Sequence, residues 1–306
     1  MNLLVGATGF VGGHVVEYLF QQGEISKGVF RKGSHLKIMD TSGVQGIEAD
    51  LLDHHSLHEA MEGVDVVYSM ASPMPDADDD FMKVNTEGLL NLLEVATETK
   101  AKAFVHLSTI EVLGFKAKSF DGSAPHPSNE YQKAKAEAER LLDEFSRRNS
   151  GPRVAVIRAA KAVGSRDETL VLPVLRSAET GKVAVPSSGP MSFVHPKDIA
   201  QAMYKAAIGD IPTGRRYTVM SFEATPEALV RGIMSACGKS AGIKRQGLLS
   251  SSSLPRYTTE LLKASLRIDP QPNWGELGYV PQYTLRTTCE EIAAWYKKSP
   301  WVTENA

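Results

Sequence analysis

The chain has 306 residues, a formal net charge of −2 and two cysteines, Cys237 and Cys289. Charge this evenly balanced, with no long run of Lys or Arg, gives nucleic acid or an anionic membrane little to hold. Two cysteines build no disulfide framework, the histidines show no metal-ligand spacing, and no apolar run approaches the ~18 residues of a membrane span. Small-molecule chemistry in a cytoplasmic protein is expected, the more so because the first strand starts at Asn2 and leaves no room for an apolar leader.

From residue 2 to about 160, short apolar runs alternate with helical patterns, the mark of βαβ units on a parallel sheet. Strands are predicted at 2–5, 28–30, 46–48, 64–69, 103–107 and 153–158. Helical periodicity is clearest over 80–100 and 129–148; in the second, Ala134, Ala138, Leu141, Leu142 and Phe145 recur at spacings of three and four, with Ser128 or Asn129 as the cap. After Gly164 the pattern loosens. Gly, Pro and Ser cluster over 185–190, a strand-helix pair follows at 193–207, a strand is predicted at 216–220, and helices at 226–237, 258–266 and 285–298 form a helical lobe around a Ser-rich stretch at 250–253. The expected architecture is α/β: a Rossmann doubly wound parallel sheet over 1–164, with 191–221 returning to it, and a smaller interleaved substrate lobe from 165–190 and 222–306.

The run Gly6-Ala7-Thr8-Gly9-Phe10-Val11-Gly12 joins an apolar strand to an amphipathic helix. Gly6 permits a tight turn, Gly9 lets backbone N–H groups approach a pyrophosphate, and Gly12 lets the helix pack closely on the strand. The second strand ends in Arg31-Lys32, where an acidic residue would favour NAD(H). A guanidinium there pairs with a 2'-phosphate, so NADP(H) is expected and NAD(H) remains possible. Asp50, with Leu51 beside it, is placed to accept from an adenine amino group or to cap the next helix, and Ala71 and its small neighbours after the fourth strand let backbone approach the middle of a dinucleotide.

Tyr131 and Lys135 lie one turn apart on one helix face. A free phenol is a poor acid-base group near neutrality, and a neighbouring ammonium is expected to favour its ionised form. Upstream, Ser108 and Thr109 close the fifth strand at the carboxyl end of the sheet, where either hydroxyl can polarise a substrate oxygen and Ser108 can also meet the cofactor.

Together these pieces resemble the extended short-chain dehydrogenase/reductase, or NAD-dependent epimerase/dehydratase, family across nearly the whole chain: GATGFVGG, ADLLD, VNTEG at 84–88, HLST, YQKAK, IRAAKAVG and FVHPKDIA at 193–200. The resemblance implies hydride transfer at a nicotinamide, with Thr109 assisting Tyr131 and Lys135 tuning it and reaching the cofactor ribose. It also implies a homodimer built on the helices at 80–100 and 129–148.

Two departures argue against an ordinary sugar-nucleotide enzyme. Lys161 stands where such members usually carry Asn, and no Arg precedes the FVH segment. The run STIEVLG is similar to the STDEVYG of hexose dehydratases and keeps their base as Glu111, but Ile110 replaces the acid that would protonate a departing hydroxyl. The closest similarity is to dihydroflavonol-reductase-like and 3β-hydroxysteroid-dehydrogenase-like members, which implies a carbonyl reductase or alcohol dehydrogenase acting on a small molecule, with Lys161 meeting an anionic substrate group or a neighbouring carboxylate. A sugar-nucleotide epimerase or dehydratase using Glu111, and a non-catalytic dinucleotide sensor, remain as alternatives.

Overall fold

The computed structural model describes residues 1–31, 43–73, 81–114, 124–148, 150–246, 254–269 and 273–298. Seven parallel strands form the main sheet: β1 (Asn2–Val5), β2 (Ser26–Phe30), β3 (Gln45–Glu48), β4 (Val66–Ser69), β5 (Ala103–Thr109), β6 (Arg153–Ala159) and β10 (Arg215–Val219). Their order is β10-β6-β5-β4-β1-β2-β3. Strand β1 is buried throughout and lies between β2 and β4. The chain therefore winds away from β1 in both directions, which opens a crevice at the carboxyl ends of these strands.

On one face of the sheet, α1 (Phe10–Gln21) packs on α6 (Pro196–Ile208). On the other, α3 (Phe81–Glu98) packs on α4 (Glu130–Arg148), with α2 (His54–Ala60) beside α3. Each face has its own apolar core: Val15, Leu19 and Met203 belong to the first, Leu57, Leu92 and Leu142 to the second. Of the two candidate caps of α4, Asn129 is the one used, accepting from the Gln132 amide at 2.8 Å, while the Gln132 side chain accepts from Ser128 at 2.8 Å.

The sheet extends further than the apolar runs indicate. Strand β5 continues through Ser108 and Thr109, paired with Arg158 and Ala159 of β6. This carries Thr109 to the crevice as the last residue of a buried central strand.

The C-terminal lobe is not purely helical, contrary to expectation. It contains α5 (Val171–Glu179), α7 (Pro226–Ala236), α8 (Arg256–Ala264), the single turn α9 (Trp274–Leu277) and α10 (Leu285–Lys298). It also contains two small sheets, β11 (Phe222–Ala224), β9 (Met191–Val194) and β7 (Lys161–Ala162) in one, β12 (Gly242–Gln246) and β8 (Lys182–Pro186) in the other. Strand β9 pairs inside the lobe, whereas α6 and β10 return to the main layers. The predicted loop at 185–190 begins inside β8, because burying Val183 and Val185 in the lobe core outweighs a Pro-containing sequence. The Ser-rich stretch at 250–253 lies outside the described residues.

Candidate active site

The crevice beside β1 is lined by Gly6, Thr8 and Gly9 of the glycine loop, Phe30 and Arg31 after β2, Asp50 and Leu51 after β3, Ala71 to Pro73 after β4, and Val84 of α3. Gly6 has φ +92°, and a Cβ there would fall 2.7 Å from the Ala71 nitrogen. A Cβ on Gly12 would fall 1.9 Å from the Gly6 carbonyl oxygen. Those two glycines hold the loop against the sheet. Gly9 differs: its Cβ would meet only the Gly6 oxygen, at 3.4 Å.

Gly9 is also the N-cap of α1, with no side-chain cap and no acid in the first turn. The first amides of the helix are thus left for an outside acceptor, which fits a pyrophosphate. Phe10, Val11 and Gly12 form that first turn without lining the crevice; Phe10 packs edge-on to His14 with ring centroids 5.9 Å apart.

Arg31 is exposed and lines the same crevice as Gly6 and Thr8. Lys32 lies outside the described residues. Asp50 does not cap α2, which is the work of Asp53. One Asp50 oxygen accepts from the Leu52 amide at 2.8 Å, which turns the carboxylate across the crevice mouth. Gly88 of the VNTEG segment admits Leu51, since a Cβ there would lie 2.9 Å from the Leu51 Cβ.

Thr109, Tyr131 and Lys135 meet at the carboxyl end of β5. The Thr109 hydroxyl accepts from the Glu111 amide at 3.2 Å and lies near enough to the Tyr131 phenol to favour its ionised form slightly. The Tyr131 ring packs against both Phe81 and Tyr257, with centroids 5.7 and 5.8 Å away. One turn on, the buried Lys135 ammonium lies 3.5 Å from the Leu107 carbonyl oxygen.

Lys135 was expected to draw the phenol towards ionisation; the surroundings act the other way. Burial, and then the Glu111 carboxylate, push the Tyr131 phenol up, against a smaller downward pull from Thr109. Lys135 is itself pushed down to about 8 by burial, with Glu139 opposing. A phenol held protonated at neutral pH is a proton donor. Behind Lys135, His106 shares a hydrogen bond of 3.1 Å with Ser69 and is held well below its usual range by burial and the lysine charge.

Ser108 is not brought into this group. The Ser108 hydroxyl donates instead to Glu139 of α4 at 2.5 Å. Glu139 also receives the fully buried Arg158 guanidinium at 2.6 Å and lies 3.3 Å from Arg216 of β10. Arg216 in turn pairs with Asp143. The serine thus helps to tie α4 to β5, β6 and β10, and its hydroxyl is occupied there.

One residue of the site has no sequence signal. Tyr257, near the start of α8, donates to both oxygens of the buried Glu111, at 2.8 and 2.7 Å. Burial pushes the Glu111 carboxyl up, while the Tyr257 hydrogen bond and the Lys161 charge lower it. Lys161 donates to the Thr169 hydroxyl at 3.0 Å, and Thr169 donates to Asp167 at 2.8 Å. Both questions about these residues are sharpened: Glu111 is already hydrogen-bonded, and Lys161 is held on a hydroxyl with a carboxylate nearby. Among the described residues no group of acids, histidines and cysteines is arranged to hold a metal ion, and no helix is long and apolar enough to cross a membrane.

An open parallel sheet with a glycine loop at its crossover and a Thr-Tyr-Lys group at the carboxyl end of β5 has the form of a dinucleotide-binding fold. Residues 2–219 match the NAD dependent epimerase/dehydratase family, and the chain belongs to it. It is similar to sterol demethylase protein B of Methylococcus capsulatus, 26% identical over 97% of this chain and 98% of that protein. It is 29% identical to a decarboxylating sterol-4-alpha-carboxylate 3-dehydrogenase of Candida albicans, over 59% of this chain and 55% of the relative. The fold is shared with dTDP-glucose 4,6-dehydratase of Bacillus anthracis in complex with NAD, with a TM-score of 0.79 and 21% identity over 98% of both chains.

Proposed function

We propose that the protein is an NADP(H)-dependent oxidoreductase that interconverts a carbonyl group and an alcohol on a small molecule. The observation that carries this reading is the grouping of Thr109, at the end of β5, with the Tyr131 phenol, and with Lys135 one turn along the same helix and 3.5 Å from the Leu107 carbonyl oxygen. Gly6, Thr8, Gly9 and the open N-terminus of α1 would hold the pyrophosphate, and Arg31 the 2'-phosphate. A nicotinamide bound in the crevice supplies or takes up hydride.

Everything else falls to the chain's own side chains. Thr109 donates to and orients the substrate oxygen. Tyr131, kept protonated by its surroundings, gives its proton to that oxygen in the reducing direction and recovers it in the other. Lys135, one turn from the phenol, would hydrogen-bond the cofactor ribose. Glu111 is engaged on Tyr257, which supports carbonyl chemistry over an elimination needing a free base there. The two sterol-acting relatives support a secondary alcohol or ketone on an alicyclic, largely apolar substrate.

Titration with NADPH and NADH, read by nicotinamide fluorescence, tests the cofactor. NADPH is expected to bind about tenfold or more tightly than NADH, and Arg31→Asp to remove that preference. Equal affinities in the native protein would sink the assignment of Arg31. A homodimer through α3 and α4 belongs to the same reading, and a monomeric mass by light scattering at micromolar concentration would reject it.

A further inference from the structure

Tyr257 and Glu111 are 146 positions apart, yet with Thr109 and Tyr131 they form one connected group. Thr109 accepts from the Glu111 amide; the Glu111 carboxylate receives the Tyr257 hydroxyl; the Tyr257 ring meets Tyr131 at 72°. Phe81 also packs on Tyr131, with its ring tilted by 34°. Three elements of the main domain and one of the lobe therefore converge on a single phenol.

The register of Tyr257 is itself set by side chains. The next residue, Thr258, is buried and donates to the Thr169 carbonyl at 2.8 Å, and Thr169 belongs to the turn that also receives Lys161. Farther along α8 the Leu262 carbonyl accepts from Ser188 at 2.6 Å. The start of α8 is thus pinned on the lobe while its tyrosine reaches into the catalytic corner. An aromatic ring tethered at its hydroxyl presents a rigid wall, because neither of its two side-chain torsions remains free.

Resting on the oxidoreductase reading, we propose that Tyr257 is a positioning residue: seated on Glu111, it clamps the Tyr131 ring against Phe81 and aims its hydroxyl at Thr109, so that the lobe completes the proton-donating site. Tyr257 exchanges no proton with the substrate. Glu111 serves as its anchor, and what it supplies is an acceptor oxygen, not a base.

Two measurements on the full chain test this. The first needs no turnover: aromatic NMR of protein carrying ring-labelled tyrosine, with Tyr131 assigned by comparison with Y131F. Tyr131 ring flipping is expected to quicken by about tenfold in Y257A and in E111L, because one wall is removed or loosened. The second follows NADPH oxidation with cyclohexanone as the ketone probe. Y257F is expected to lower kcat by about tenfold with the KM for NADPH unchanged, E111L to match it, and the double variant to lose no more than either alone. E111Q should recover most of the rate that E111L loses, since its amide oxygen still accepts from Tyr257.

Unchanged ring flipping in Y257A and E111L overturns the proposal, whatever the turnover. So does E111Q as inactive as E111L, which would show that the carboxylate itself works, or losses in the double variant that simply multiply. If the wild type oxidises no NADPH with any ketone tried, the oxidoreductase reading fails, and the ring-flip rates alone decide whether the clamp exists.

Discussion

The two halves of the site are built from different materials. The dinucleotide crevice is shaped by main chain: glycines at φ +92° or under a carbonyl, an uncapped helix, and strand ends that bring only one or two side chains each. The catalytic corner is shaped by buried side chains from α3, α4, β5 and the lobe, each held by another. A backbone site tolerates change at most of its side chains and almost none at its glycines. A side-chain site behaves the other way, and a single hydroxyl can remove its chemistry without disturbing what binds next door.

Tyr131→Phe should separate the halves most sharply. It is expected to lower kcat by about 10² to 10⁴ while NADPH affinity stays within about twofold, measured by initial rates and fluorescence titration. A parallel loss of NADPH binding would mean the halves are one unit. Gly12→Ala should strike the crevice, since its methyl would overlap the Gly6 oxygen; we expect about 3 kcal/mol of destabilisation and loss of NADPH binding, read by denaturant unfolding and titration. A stable, NADPH-binding G12A protein would show that the loop can move away from the strand.

The smallest effect concerns Lys135 and runs towards greater stability. Its pKa in the folded protein, about 8, lies below its ordinary value of 10.5. Between those values the unfolded chain holds more protons than the folded one, so this group's contribution to stability rises with pH there. Below pH 8 the fold bears the full cost of a buried charge. Lys135→Met should therefore be more stable than the wild type by on the order of 1–3 kcal/mol at pH 7, with the gain shrinking towards pH 10. A gain that does not depend on pH would mean that packing, not charge, is responsible.

The same contrast explains what could be read in advance. The crevice was legible because its pieces are contiguous: the strand 2–5 is found as predicted, Gly6, Thr8 and Gly9 line the wall, and Arg31, Asp50, Leu51 and Ala71 arrive at successive strand ends. The helix carrying Tyr131 and Lys135 is long enough for its period to show, and it runs from Glu130 to Arg148. Tyr257 was invisible because nothing near it in sequence points towards Glu111. Ser108 misled for a related reason, since a strand end shows which residues are polar but not what the helix packed beside it offers them. The lobe strands of two to five residues are too short to display alternation, and Pro173 within VLPVLRSAE obscured α5.

Strand β10 has a consequence for how the protein is made. It is a neighbour of β6 in space, yet 55 residues of lobe and helix lie between Ala159 and Arg215. A chain emerging from the ribosome can complete the glycine loop, β5 and the Tyr131 helix while the outer edge of β6 still offers its amides and carbonyls to any passing strand. Only when Arg216 reaches Glu139 and Asp143 is that edge covered. A fragment ending at residue 164 would lack β10 and leave that edge of β6 exposed.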